Sequence, residues 1–83
     1  MWCIKRSTGS HLPEIINLST GATIKAVEHE GSWMITLNVI AGVNESGEVF
    51  ATKELSHPAD QGEAYGELNA LAAKLESIDV SHL

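Results

Sequence analysis

The sequence predicts an α+β fold, a three- or four-stranded antiparallel β-meander with one C-terminal α-helix packed on one face. Three observations predict it. Residues 22–55 alternate apolar and polar side chains at the period of two expected of half-buried strands, residues 56–78 carry apolar side chains at helical spacing, and turn formers separate the segments. At 83 residues the chain holds one compact unit, which excludes a two-domain enzyme. A hydrophobic share of 43% and a charged share of 19% are those of a globular domain and exclude a disordered or coiled-coil chain.

Residues 1–13 read as a flexible or edge-strand N-terminal arm, and residues 14–83 as the single α+β domain. Trp2 and Ile4 offer a short edge strand at 2–5, while Ser7-Thr8-Gly9-Ser10 and Pro13 break any apolar period, and Gly9-Ser10-His11 resembles a cloning remnant. Glu14-Ile15-Ile16-Asn17-Leu18 reads as a strand closed by Ser19-Thr20-Gly21. From Ala22 to His29, Ile24 and Ala26 share one face, with Lys25, Val27 and His29 on the other. Glu30-Gly31 is a tight turn. Ser32 to Ile40 is the most strand-like segment and is expected at the centre of the sheet, with Trp33, Ile35, Leu37 and Val39 on one face and Met34, Thr36, Asn38 and Ile40 on the other. Residues 42–47 read as a loop. Glu48 to Leu55 then sets Val49, Ala51 and Leu55 against Phe50, Thr52 and Glu54.

The helix has two candidate starts, Ser56 ahead of Pro58 and the capping box formed by Asp60 with Glu63. At 100° per residue, Ala64, Leu68, Leu71, Ala72, Leu75 and Ile78 form one stripe, expected to meet the sheet. The main core is therefore expected from Trp33, Ile35, Leu37, Val39, Leu68, Leu71 and Leu75. Away from that stripe, Gly62, Gly66, Ala70, Ala73 and Ser77 are all small, and small residues one turn apart let two backbones approach closely. That stripe is the candidate partner-binding surface, across the two-fold axis of a homodimer.

A search for chemistry returns absences. The sequence has no GxSxG elbow, P-loop, GxGxxG, HExxH or EF-hand loop. His11, His29, His57 and His82 lie too far apart to share a helical turn, so a metal site would have to be assembled by the fold. His29 sits between Glu28 and Glu30 and reads as a solvated strand-end residue. Cys3 has basic neighbours, Lys5 and Arg6, that favour thiolate, yet no base is placed to orient it. The sequons at Asn17 and Asn44 carry meaning only in an exported chain. No catalytic residue, metal or cofactor is expected.

Cys3 is the sole cysteine, Met1-Trp2-Cys3-Ile4 runs straight into Lys5-Arg6 with no signal-peptide core, and no run approaches the ~20 apolar residues of a membrane span. A cytoplasmic protein with no membrane partner is expected. The formal charge of −6 repels phosphate backbones, so no direct nucleic-acid binding is expected either. From Glu28 to Asp79 ten acids face two lysines. Such a field serves solubility, and it also suits an inhibitor that mimics nucleic acid on the basic groove of a DNA- or RNA-handling protein.

The predicted central strand is apolar on both faces, whereas one helix covers one of them. Met34, Ile40, Val27 and Phe50 therefore need a cover, either the Ile15-Ile16-Leu18 segment folded back over the sheet or a second chain. The layout, a meander followed by one long helix, is similar to that of the partner-binding domains of some antitoxins and of many small phage proteins, a likeness of layout that transfers no residue. The expected function is a small acidic non-enzymatic protein-binding module of bacterial or phage type whose partner is itself, as a homodimer. The alternatives are the acidic nucleic-acid mimic and a small enzyme whose site is assembled at a dimer interface.

Overall fold

The computed structural model describes residues 1–6 and 12–80; the cloning-remnant reading at 9–11 and His82 lie outside them. Strands β1 (Trp2–Lys5), β2 (Glu14–Asn17), β3 (Thr23–His29), β4 (Ser32–Asn44) and β5 (Gly47–Ser56) precede helix α1 (Gln61–Lys74) and a short β6 (Ile78–Asp79). They form one six-stranded sheet in the order β5-β4-β3-β2-β1-β6. The fold is α+β with one C-terminal helix, as predicted. The sheet, however, is a mixed one of six strands, not a meander of three or four. β1 to β5 pair antiparallel in sequence order, and β6 adds beside β1 in parallel because the chain returns to that side through the helix.

Strand pairing fixes the two faces. Ile4 opposes Ile15, Ile15 opposes Ile24, Ile24 opposes Leu37 and Ala26 opposes Ile35, so these side chains project to one side. That side meets α1. Ile4, Ile15, Ile24 and Ile35 are each at most 5% exposed, and with Leu68 and Ala72 they form the core, against which Trp2, Leu12, Ala26, Leu37, Leu71 and Leu75 pack. The centre of the core thus lies nearer β1 and β2 than the periodicity placed it. Ile35 and Leu68 occupy their expected places, while Trp33 and Val39 are half-buried.

Local chemistry explains the turns. Glu30 (φ 51°) and Gly31 (φ 80°) make the two-residue β3–β4 hairpin with both central residues left-handed, the arrangement that matches strand twist. Between β2 and β3, Asn17 Oδ1 accepts from the amides of Ser19 at 2.9 Å and Thr20 at 3.2 Å. Gly21 there is favoured by its φ of +78°, and a Cβ would press on the mobile end of Ile40, 2.8 Å away at Cδ1. The expected loop at 42–47 shrinks to Glu45-Ser46, because Gly42, Val43 and Asn44 pair with Val49, Glu48 and Gly47 and extend the hairpin.

Of the two helix starts, the second is used. Asp60 is the N-cap, its Oδ1 accepting from the Glu63 amide at 2.8 Å. Ser56 ends β5 and donates its hydroxyl to Glu67 Oε2 at 3.0 Å. The helix stops at Lys74, short of the predicted Ile78. Ser77 N–H donates to Ala72 O at 2.9 Å and Glu76 N–H to Ala73 O at 3.1 Å, with Glu76 left-handed at φ 52°. This is a Schellman closure with glutamate where glycine is usual. Ile78 consequently lies in β6, 51% exposed, and is not part of the helix stripe.

Ile15→Ala and Leu68→Ala should each cost roughly 2 to 5 kcal/mol in a urea melt, and Leu71→Ala less, since Leu71 is only partly buried. A loss below about 1 kcal/mol for Ile15→Ala would contradict the place of β2 under the helix.

Candidate interaction surface

Among the described residues, those singled out for chemistry do not converge. His29 and Glu30 are 84% and 85% exposed with 3.9 Å between Nε2 and Oε1, and His57 lies 3.3 Å from Glu54 at the surface. Among the described residues no three His, Cys, Asp or Glu side chains gather as a metal site would require. Cys3 is 3% exposed within β1, between Ile16 of β2 and Ile78 of β6, so the structure shields the thiol instead of presenting it. Arg6, three residues further on, is engaged on the helix side: its Nε donates to Asp79 Oδ2 at 3.0 Å and its guanidinium also donates to Asn69 Oδ1.

The sheet face turned away from α1 carries Cys3, Ile16, Thr23, Lys25, Val27, Met34, Thr36, Asn38, Ile40, Phe50, Thr52 and Glu54, as register dictates. The Ile15-Ile16-Leu18 segment does not cover it. Ile15 and Ile16 belong to β2, and Leu18 sits in the following turn, 65% exposed. The sheet interior was the better place for this segment, since there its backbone groups pair on both sides. The middle of the open face is polar: Thr52 Oγ1 donates to Asn38 Oδ1 at 2.7 Å, and a groove of about 510 Å³ is lined by Glu14, Thr23, Lys25, Asn38 and Phe50.

Apolar exposure concentrates at the far end of the β4–β5 hairpin, which runs beyond the other strands. Ile40, Val43, Val49 and Phe50 are 38%, 78%, 41% and 58% exposed there, and Leu55, in the bulge beside Ile35 and Thr36 at the other end of β5, is 39% exposed. The outer side of the helix differs: Gly62, Gly66, Ala70 and Ala73 are exposed along it, whereas Ser77 lies three residues past its end and is half-buried. A Cβ at Gly66 would meet nothing within 4 Å, and one at Gly62 only Asp60 Oδ1 at 3.4 Å. Packing within the chain therefore does not require either glycine. Beside this face, Leu55, Ser56, Glu67, Ala70, Leu71 and Lys74 line a shallow cleft of about 250 Å³.

No helix among the described residues is long and apolar enough to cross a membrane. The chain matches no protein-family model, no curated protein and no solved structure.

Sequence reasoning singled out Phe50 and Ile40 as needing cover, but it missed the length of the hairpin that carries them. Val43 and Asn44 were hidden by Gly42 and Gly47, which read as loop punctuation. The burial of Cys3 makes a direct prediction: a soluble aromatic disulfide reagent should modify it more than about a hundredfold more slowly in native buffer than in urea. Equal rates would place β1 outside the sheet.

Proposed function

We propose that this is a small acidic protein-binding module without enzymatic activity, and that its principal partner is a second copy of itself. The observation that carries the reading is the concentration of uncovered apolar side chains on one hairpin. Of the nine large apolar residues most exposed among the described residues, four, Ile40, Val43, Val49 and Phe50, lie on the projecting part of β4 and β5. A lone exposed leucine needs no explanation, but a cluster on one projecting element is how a monomer marks a contact surface. The helix stripe of Gly62, Gly66, Ala70 and Ala73, with Ser77 beyond it, offers a second surface for the same association.

Charge gives the test its direction. Two copies at −6 each repel, so added salt should leave self-association unchanged or tighten it, whereas an acidic mimic on a basic partner would be released by salt. Sedimentation at tens of micromolar should return twice the chain mass of 8.9 kDa at both low and high salt. A monomer throughout would contradict the reading, and salt-sensitive capture by a basic nucleic-acid-handling protein would replace it with the mimic.

A further inference from the structure

The two edges of the sheet are built differently. The β6 edge is two residues long and is tied down by the Arg6–Asp79 ion pair. The β5 edge is ten residues long, has no strand on its outer side among the described residues and contains no proline. Edges of that length are ordinarily blunted by proline, a bulge or an inward charge, and β5 has its bulge at Leu55 and its inward charge at Lys53, opposite Leu37, both within its last four residues, which leaves Gly47 to Thr52 with neither. In β5 the extra residue of the bulge is Leu55, since Glu54 opposes Thr36 and Ser56 opposes Ile35, so Gly47 to Glu54 runs without one of its own.

We propose that this edge pairs antiparallel with β5 of a second copy, about a two-fold axis at Phe50, so that the two sheets become continuous. The inference rests on the self-associating reading above and assigns its interface. Residues opposed across such an axis must share a sheet face, so the axis falls on a residue and only a few registers exist. Centred on Ala51, Glu48 would face the partner's Glu54. Centred on Lys53, that lysine would face the partner's Lys53. Like charges directly opposed are unfavourable. Centred on Thr52, Phe50 would face the partner's Glu54, and the bulged Leu55 would be drawn into the ladder; centred on Val49, Phe50 would face the partner's Glu48, and centred on Glu48 that glutamate would face its own copy.

Centred on Phe50, each of these conflicts is removed. Phe50 faces the partner's Phe50, Val49 the partner's Ala51, Glu48 the partner's Thr52 and Gly47 the partner's Lys53. Ile40 already stands beside Phe50 on the open face, where the two are cross-strand partners. The register thus joins four exposed apolar side chains, two from each copy, in one row across the axis, and aromatic pairs of this kind stabilise sheets. The nearest like charges, Glu48 and the partner's Glu54, sit diagonally at about 7 to 8 Å.

Two variants test it in the full chain. Directly opposed residues place their Cα atoms about 4.5 to 5.5 Å apart, within disulfide reach, so Phe50→Cys should cross-link into a covalent dimer under oxygen with a copper catalyst. Thr52→Cys should not, because in this register the two copies of residue 52 lie about 13 Å apart along the strands. Buried Cys3 does not compete. Phe50→Glu, at a position 58% exposed in the protomer, should fold normally and raise the dimer dissociation constant at least about tenfold. A wild-type dimer in which Phe50→Cys links no faster than Thr52→Cys would overturn the register and leave self-association standing. A dimer broken by Gly66→Leu but not by Phe50→Glu would move the interface to the helix. A wild-type monomer would remove both this inference and the reading it rests on.

Discussion

Ile4, Ile15, Ile24 and Ile35, one from each of β1 to β4, lie beneath Leu68 and Ala72 of a single helix, and the remaining architecture follows from that crossing. A helix of 14 residues is about 21 Å long, and four strands span about 14 to 15 Å between their outer axes, so α1 can lie across all four. It touches β4, β3, β2 and β1. Its sheet-facing positions Ala64, Leu68 and Ala72 alternate small with large, which brings the helix close enough to bury the isoleucine row. β-branched side chains suit that row because they are already stiff in the extended backbone and lose little freedom on packing.

The same geometry sets what cannot be covered. One helix shields one face, and its length is used up between β4 and β1. The outer half of the β4–β5 hairpin and most of the opposite face therefore remain without a helix among the described residues, although Cys3 and Thr36 on that face are buried. Evolution could have made this surface polar, and in the middle of the open face it did, with Thr23, Lys25, Asn38 and Thr52. At the hairpin it kept Ile40, Val43, Val49 and Phe50. The contrast between the polar middle and Ile40, Val43 and Phe50 on the same face, with Val49 on the other side of the hairpin, is what turns an unfilled layer into a candidate contact surface.

Much of this was legible in the sequence wherever periodicity is long. The alternation from Ala22 to Ile40 gave β3, the hairpin turn and the faces of Ile24, Ile35 and Leu37, and the 3.6-residue pattern gave the burial of Ala64, Leu68 and Ala72. The misses have physical causes. β6 has two residues, too few to show a period, and the strand offered at 2–5 is β1, but its place between β2 and β6 instead of at an edge depends on long-range pairing. Ile15 reads equally well as a buried strand or as a flap, because a short apolar run does not say which neighbours it has. Helix termination at Lys74 depended on Glu76 adopting a left-handed conformation, which its residue type disfavours. The candidate surface was half legible: Phe50 and Ile40 were visible as uncovered, but the run that places them on a ten-residue free edge was hidden by glycines at 42 and 47.

The central claim is that the helix crossing secures β1 to β4 and leaves β5 as the edge available to a second copy. Amide hydrogen exchange followed at two protein concentrations tests it most directly. The account predicts concentration-independent protection for β1 to β3, the first half of β4 and α1, together with protection between Gly47 and Lys53 that rises with concentration. Protection that rises instead along 62–73 of the helix, or that changes nowhere, would contradict it.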